Sequence, residues 1–483
     1  MLKGIRSKSA PILVVDAGNT FAKASFLAEA ERWQGQKKAE LIARALTTMG
    51  LDGMAVGAAD LAFGIPFLTS MAAEGVPLLA ANVVDVQTGQ PLFPGSTIKQ
   101  VGTYRMGIIG LSPRELEGLG LKVEDPAEAL TRQLATLQAQ KVDFVVLLSS
   151  MGFPSTQELV KKVPGVDLAI VSGSSRMTDP PVTEGMTLVM EAGSRSKAVG
   201  VLDLAPVPGG VRGFVNKGSD VVVAKRAERF ELRVRELEKQ LADARDEALK
   251  KRLERQLAYY QGEVAKLEAA RNKDAVAQGH PYVHHFENLE KSLPDEPVIQ
   301  AMVEATKLAI EAGPAQGEVQ AAPATGVAIA GDDARFAGLT GVALLEARST
   351  AGMPGYGNFA GDQACMGCHP TEYTQWKTTP HARAYATLQG ENRSQDFECY
   401  GCHITGHKKP GGPSNPAEVG YLKNVQCESC HTSGLLHVKD PTRVKLPALV
   451  KEETCLECHT FEKTGARFDY ATYHPKVVHR PSP

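Results

Sequence analysis

Cysteine and histidine are absent from most of this 483-residue sequence. All eight cysteines lie beyond residue 364, and no histidine precedes His280. The first three quarters of the chain therefore cannot contain a disulfide bond. The first 279 residues also lack the imidazole ligands on which many transition-metal centres depend.

Long apolar runs and an excess of charge are missing as well. No run approaches the roughly 20 apolar residues of a transmembrane helix, so no transmembrane segment is predicted. The 53 basic and 55 acidic residues leave a formal net charge of −2, which gives no sign of a nucleic-acid partner. With 43% apolar and 22% charged residues, the composition is typical of a globular protein of roughly two to four domains.

The cysteines that are present form four Cys-x-x-Cys pairs, and a histidine directly follows each pair. The four motifs are Cys365, Cys368 and His369; Cys399, Cys402 and His403; Cys427, Cys430 and His431; and Cys455, Cys458 and His459. This is the attachment pattern of c-type haem. The two thiols add to the porphyrin vinyl groups, and the histidine is the proximal ligand of the iron. The sequence therefore predicts four covalently bound haems c.

Two alternatives remain for these cysteines. They could form a pair of zinc ribbons with four cysteines each, or they could be disulfides or redox dithiols. Ribbons usually place about 15–20 residues between their pairs, whereas the gaps here are 30, 24 and 24 residues. A zinc ribbon also has no use for a histidine after every pair. Haem is therefore the favoured cofactor.

Residues 1–217 alternate short apolar runs with helical patterns. The runs at 11–18, 106–112 and 142–150 end in Gly, Asp or Ser, as buried strands do, and a helical pattern occupies 125–140. We predict a layered α/β domain for this region.

Residues 218–312 are rich in Glu, Lys, Arg, Ala and Leu and are predicted to form a helical connector. Apolar residues recur at three- and four-residue steps, namely Leu237, Leu241, Leu253, Leu257, Tyr260, Val264 and Leu267. This spacing favours one long helix or an antiparallel pair. A coiled coil that forms a homo-oligomer is the alternative to a simple spacer. Residues 313–354 are then predicted to be a linker, and residues 355–483 a mostly α-helical and irregular domain that holds the haems.

The blocks VVDAGN, MAVGAAD, PLLAANV, GIIGLSP, VDFVVLLSSMG and GVDLAIVSGSSR resemble calcineurin-like metallophosphoesterases of the 5′-nucleotidase type, over roughly residues 10–205. The resemblance implies a two-layered sheet flanked by helices, with a dinuclear metal site at the strand ends. Several family ligands are replaced, and the substitutes are Asn19, Gly57-Ala58-Ala59, Ser150, Ser174 and Arg176. The resemblance therefore implies the fold of a phosphoesterase without its catalysis, that is, a pseudoenzyme.

Around the haem motifs, GDQACMGCHPTEYTQWKTTPHARAYATL, CYGCHITGHKKPGG, NVQCESCHTSGLLHV and YHPKVVH resemble tetrahaem cytochromes c, over roughly residues 357–480. That family includes the electron acceptor of hydroxylamine oxidoreductase. The resemblance implies closely stacked haem pairs, and one haem that lacks a second axial ligand.

Five further histidines in this region are candidates for the second axial position. His381, His437 and His479 occupy positions that resemble the family's distal ligands. His407 follows His403 by four residues and would have to serve a neighbouring haem. The family that this region resembles often has an aromatic residue at this position, and the resemblance therefore implies that the five-coordinate haem is the one on Cys399 and Cys402. His474 is the substitute for His479.

These patterns predict an electron carrier that exchanges electrons with redox partner proteins, with the α/β domain as a scaffold and with no catalytic residues. The alternatives are a haem enzyme acting on a small nitrogen or oxygen compound, and a sensor that binds a metabolite in the α/β domain. Covalent haem attachment predicts export to the periplasm or the extracellular side of the envelope. The sequence MLKGIRSKSAPILVVDAGNT contains no export signal, so we expect a start upstream of Met1 or a removed leader.

Overall fold

A computed structural model of the protein describes residues 2–6, 11–118, 120–174, 176–194, 197–208, 212–243, 247–274, 279–290, 292–314, 336, 338–350, 358–464 and 468–479. The chain divides into two units. The first contains residues 1–27 and 39–299, and the second contains residues 28–38 and 300–483. Most of the predicted linker, 313–354, lies outside the described residues.

The first unit contains the strands, as the apolar runs predict. They are β1 (Val15–Asp16), β2 (Gly53–Ala55), β3 (Leu78–Leu79), β4 (Val83–Asp85), β5 (Ser96–Val101), β6 (Tyr104–Leu111), β7 (Leu121–Val123), β8 (Phe144–Ser149), β9 (Leu168–Val171), β10 (Val182–Glu184), β11 (Thr187–Glu191), β12 (Ala198–Leu204), β13 (Phe214–Asn216) and β14 (His280–Asn288). A six-stranded sheet has the order β10-β11-β9-β8-β6-β5, and a parallel three-stranded sheet has the order β1-β2-β3.

The helices are α1 (Leu2–Arg6), α2 (Glu29–Thr48), α3 (Ile65–Ala73), α4 (Pro126–Ala139), α5 (Phe153–Lys162), α6 (Lys217–Asp243), α7 (Glu247–Asp274), α8 (Pro297–Ala312), α9 (Gly341–Thr350), α10 (Asp362–Met366), α11 (Pro370–Lys377), α12 (Ala384–Gly390), α13 (Cys427–His431), α14 (Leu435–Lys439), α15 (Glu452–Leu456), α16 (Phe461–Thr464) and α17 (Tyr470–Tyr473). Short 3₁₀ helices span Ala58–Phe63, Arg114–Leu116, Pro380–Arg383, Tyr400–Cys402, Pro416–Glu418, Gly420–Leu422 and His474–Lys476.

Side chains point alternately to the two faces of each strand. One face of each sheet packs against the other sheet, and the opposite face packs against helices. On β6, Ile109 and Leu111 pack into a core that includes residues of α4 and α5. Met106 and Ile108, which point to the opposite face, pack against residues of β2 and β3. A third core lies between the three-stranded sheet and helices α2 and α3. The predicted layered α/β class is thereby confirmed for this unit.

Gly110 allows the two sheets to approach closely. A Cβ atom at this position would overlap the carbonyl oxygen of Leu79 on the neighbouring sheet. Any side chain here would therefore force the sheets apart.

The predicted helical connector forms two helices, α6 and α7, that pack on each other. Only residues 244–246 separate them in sequence, so the pair is antiparallel. Leu237 and Leu253 are buried, and the rings of Phe230 and Tyr260 are 5.5 Å apart. The side chain of Leu267 lies outside the described residues. Association of two chains through these helices remains a prediction.

After these helices the chain forms strand β14. This strand pairs with β12 in the antiparallel and with β13 in the parallel sense. Tyr282 of β14 packs into the core beneath the six-stranded sheet. Residues 218–299 thus cluster with the first unit, whereas the sequence places a boundary at 217. The predicted domain bounds remain predictions.

The second unit is built from short helices and irregular segments, and its apolar cores are small. One core gathers around Tyr400 and Tyr385, another around Leu344 and Ala364, and a third pairs Phe359 with Leu422. The predicted α-helical and irregular character is confirmed. Within the part of the chain that the structure describes, none of the helices combines the length and the apolar character that crossing a membrane requires.

Candidate functional site

Each Cys-x-x-Cys-His motif coils into a helical turn. The amide of His369 donates to the carbonyl of Cys365 at 2.9 Å, and the same bond joins His459 to Cys455 at 2.9 Å. The third motif is itself helix α13, and the second contains the 3₁₀ turn Tyr400–Cys402. Residues three and four apart share a face of a helix, so this turn presents both thiols and the imidazole on the same side. None of the eight cysteines is in a disulfide.

The imidazoles of three motifs each face a histidine from a distant part of the chain. The ring centroids of His369 and His437 are 6.2 Å apart with 27° between the planes. Those of His431 and His479 are 6.0 Å apart at 23°. The rings of His459 and His381 are 6.1 Å apart at 46°.

This separation suits a metal ion between the rings. A first-row metal bonds an imidazole nitrogen at about 2 Å, so two ligands on opposite faces of one iron place their ring centroids roughly 6 Å apart. Rings in direct contact would be closer, and rings that shared no ligand would have no reason to oppose each other at one distance three times. The residues present therefore fit a bis-histidine haem.

Backbone carbonyl groups fix the orientation of several of these rings. The Nδ1 atoms of His403, His431 and His437 lie 2.6, 2.7 and 2.6 Å from the carbonyl oxygens of Ala384, Pro447 and Val444, respectively. A carbonyl oxygen can only accept a hydrogen bond, so Nδ1 carries the proton in each case. The lone pair of Nε2 is then free to bind a metal, as in metal-ligating histidines generally.

The protonation of the other rings agrees with this role. Burial, together with the neighbouring His459, lowers the pKa of His381. Burial also lowers the pKa of His459 and His479. All three are therefore mainly neutral at pH 7, and the neutral imidazole is the form that ligates a metal.

The second motif differs from the other three. Within the described residues no imidazole faces His403. His407 instead lies against the ring of Tyr400, with centroids 4.8 Å apart, and its edge packs on Gly401. His474, the substitute for His479, stacks on Tyr470 at 4.7 Å. Of the candidate distal ligands, His381, His437 and His479 are thus brought opposite a motif histidine, and His407 and His474 are not.

Contacts between thiols reveal which motifs are neighbours. A hydrogen bond between the side chains of Cys365 and Cys427 raises the pKa of Cys365 and lowers that of Cys427. A second such bond raises the pKa of Cys458 and lowers that of Cys402. The first motif is therefore adjacent to the third, and the second to the fourth.

Two buried polar residues that flank Cys427 join the first and third motifs. Glu428 accepts hydrogen bonds from the amides of Ala360, Gly361 and Gly434 at 2.9, 2.8 and 2.6 Å. Gln426 accepts one from the amide of Asp362 at 2.9 Å. Sequence reasoning missed both residues, and a carboxylate inside Cys-x-x-Cys is no signal by itself, because Glu457 lies inside the fourth motif and is exposed.

In the first unit, two of the substituted phosphoesterase positions, Asn19 and Gly57, contact Asp60. This buried carboxylate accepts hydrogen bonds from the amides of Asn19, Thr20, Phe21 and Gly57, at 2.7–2.9 Å. Burial raises its pKa to about 6, and the four donors oppose that rise. The Asn19 side chain accepts from the amide of Ala59 and donates to Ser172.

The other substituted residues are also satisfied by the chain itself. The hydroxyl of Ser150 donates to the carbonyl of Val56 at 2.8 Å, and that of Ser174 donates to the buried Glu191 at 2.8 Å. Arg176 lies over the ring of Phe153 at 4.6 Å. Within the described ranges, no three His, Cys, Asp or Glu side chains are grouped as a metal site would require. Internal hydrogen bonds thus satisfy the polar side chains of Asn19, Ser150 and Ser174.

Comparison with known proteins gives separate matches for the two parts of the chain. Residues 364–432 match the family model described as cytochrome c554 and c-prime. The cytochrome c-554 of Nitrosomonas europaea is 29% identical over 90 residues, which are 16% of this chain and 38% of that protein. The 5′-nucleotidase of Diplobatis ommata is 24% identical over 188 residues, which are 36% of this chain and 31% of that protein.

A solved 5′-nucleotidase precursor from Thermus thermophilus is 22% identical, with a TM-score of 0.37, and the match covers 42% of this chain and 44% of that one. This chain spans about a third of the length of these curated relatives. Both resemblances predicted from the sequence are confirmed: the N-terminal part is similar to 5′-nucleotidases, and the C-terminal part is similar to cytochrome c554.

Proposed function

We propose that this protein is an electron carrier that holds four covalently bound haems c in its second unit. Three pairs of opposed imidazoles, all with centroids 6.0–6.2 Å apart, support this proposal most strongly. One member of each pair, His381, His437 or His479, was predicted from the family resemblance to be a distal ligand, so the resemblance and the geometry point to the same residues.

Within this proposal the chain's own groups have defined roles. The eight motif cysteines form the thioether bonds, and His369, His403, His431 and His459 are the proximal ligands. His437, His479 and His381 complete the first, third and fourth sites. When bound, each haem supplies an iron that gains and loses single electrons. The contacts of Cys365 with Cys427 and of Cys402 with Cys458 bring the four sites close together in two pairs.

A second function is favoured by the environment of His403. No described imidazole faces this ring, and His407 packs against Tyr400 and Gly401, so the haem that Cys399 and Cys402 would hold is proposed to be five-coordinate. An open position at iron permits a small nitrogen or oxygen compound to bind there. Catalysis at this haem is therefore the alternative to pure electron transfer.

For the first unit we propose a scaffold or docking role without hydrolytic activity. Its polar groups at the strand ends bond to one another through Asp60, Asn19 and Glu191, instead of converging on a metal. The same proposal includes redox partner proteins and a homo-oligomer formed through α6 and α7. It also includes a location in the periplasm or outside the cell. The similarity to cytochrome c554 supports export.

The haem content tests the proposal directly. The purified protein is expected to have a c-type absorption spectrum with four haems per chain. Replacing Cys399 and Cys402 with serine is expected to remove one haem equivalent, because both thioether bonds of that site are lost. A colourless, stably folded protein that contains zinc would contradict the proposal.

The axial ligands are tested by paramagnetic resonance. Changing His381, His437 or His479 to alanine is expected to convert one low-spin signal to high spin in each case, since each variant removes one strong-field ligand. His474→Ala is the matched control and should leave all signals unchanged, because this ring stacks on Tyr470. Unchanged spectra for two of the three variants would refute the assignment.

Phosphoesterase activity is expected to be absent. The full-length protein should not hydrolyse nucleoside monophosphates with added manganese or zinc, because the positions that supply imidazole ligands in the family carry serine, alanine and arginine. Release of phosphate would be measured beside a 5′-nucleotidase as positive control. Turnover that rises with metal concentration would overturn this expectation.

A further inference from the structure

Helix α9 lies in a segment that the sequence predicts to be a linker, yet it has a buried face. Leu344 is fully buried and Arg348 is 9% exposed. These residues are four apart and so lie on the same side of the helix. Leu344 packs in a core with Phe336, Ala360 and Ala364. A linker has no such core.

Residues beside and within α9 contact helix α10, which contains Cys365, the first cysteine of the first motif. Thr340 lies against Gly367, where a Cβ atom would come within 2.6 Å of the threonine hydroxyl. The side-chain amide of Gln363 donates to the carbonyl of Phe336 at 3.2 Å. Gly367 lies between Cys365 and His369, so the contact reaches the motif itself.

The same helix contacts α14, which carries His437. Leu435 and Val438, the neighbours of His437 on α14, pack against the core formed around Leu344. Helix α9 therefore touches α14, which carries His437, and α10, which ends three residues before His369; these two histidines form one of the opposed pairs.

Arg348 joins this helix to the segment that precedes the first motif. Its guanidinium donates to the carbonyl of Ala360 at 2.9 Å and lies 3.9 Å from the ring centroid of Tyr421. The amide of Ala360 donates to Glu428 in the third motif. A cation that is buried in this way is costly unless its partners are fixed, so the arginine holds α9 in one position.

We infer that α9 is a positioning element of the first haem site, and that it holds α10 and α14 at the separation two imidazoles need to bind one iron. The inference rests on the proposed haem function. It assigns Leu344 and Arg348 a role that neither motif spacing nor family similarity gives them, since the matched family region begins at residue 364.

The test uses the full-length haem-loaded protein with Leu344→Ala and Arg348→Ala. We expect four haems to remain while the low-spin signal that His437→Ala abolishes is lost or shifted, and the ferrous protein should take up one more equivalent of carbon monoxide than the wild type. The conservative variant Leu344→Met, which keeps a large apolar side chain, should retain the wild-type spectrum. Val342→Ala changes a residue of the same helix that is 44% exposed, and should have no effect.

Two outcomes would overturn the inference. One is a lower melting temperature with every haem signal unchanged, which would give α9 a general structural role only. The other is an equal change at all haems. If Leu344→Ala does not accumulate, Arg348→Ala and Arg348→Lys provide the same comparison. A wild-type protein without four haems would instead refute the proposed function itself.

Discussion

Replacing Glu428 with alanine is expected to destabilise the second unit severely and to disturb the first and third haem sites together. The variant leaves the buried amides of Ala360, Gly361 and Gly434 without an acceptor. Each unsatisfied buried donor costs about 1–3 kcal/mol, so the total loss should be at least about 3 kcal/mol. Thermal unfolding and the haem content of the purified variant would measure the effect.

Glu457→Ala is the matched control for this prediction. Glu457 also lies between the cysteines of a motif, but its side chain is 54% exposed and pairs with Lys409 at the surface. A surface ion pair contributes at most about 1 kcal/mol. Equal melting temperatures for the two variants would show that the carboxylate of Glu428 does not hold the motifs together.

Replacing Asp60 with alanine is expected to destabilise the hydrogen-bonded segments around it in the first unit. Four amides, including those of Asn19 and Gly57, lose their acceptor at once. At about 1 kcal/mol or more for each unsatisfied donor, the loss of at least about 4 kcal/mol corresponds to hydrogen exchange on the order of a thousandfold faster at these amides. Exchange of the full-length protein, followed by mass spectrometry of peptides covering 17–21 and 57–60, would measure it.

Asp295→Ala provides the comparison, because Asp295 is exposed. It should leave the exchange of both peptides unchanged. Equal protection of these peptides in Asp60→Ala and in the wild type would mean that water or other groups replace the carboxylate. The interpretation that Asp60 satisfies these four amides would then be wrong.

The strands of the first unit were predictable because their apolar runs are short and end in turn residues. The run at 142–150 contains β8 (Phe144–Ser149), and the helical pattern at 125–140 contains α4. Strand β14 was missed because it follows a charged helical segment and contains Pro281 and three histidines. Its pairing with β12 and β13 depends on residues far away in sequence, which a local pattern does not reveal.

For the candidate site, the residues proposed to bind haem were accessible to sequence reasoning and the residues that support them were not. A motif repeated four times identifies the cysteines and proximal histidines, because the chemistry of attachment dictates the spacing. Glu428 and Arg348 form hydrogen bonds with backbone groups of other segments. The sequence alone does not distinguish them from exposed glutamate and arginine residues. Only the fold distinguishes them from the exposed Glu457.

The pairing of the imidazoles is interleaved along the chain. His369 pairs with the later His437 and His431 with the later His479, whereas His459 pairs with the earlier His381. No continuous fragment that ends before His437 contains a complete site of this kind. During synthesis, each of these three pairs therefore stays incomplete until most of the second unit has emerged, and a loss of residues at the C-terminus would remove the partner of His431 while sparing that of His459.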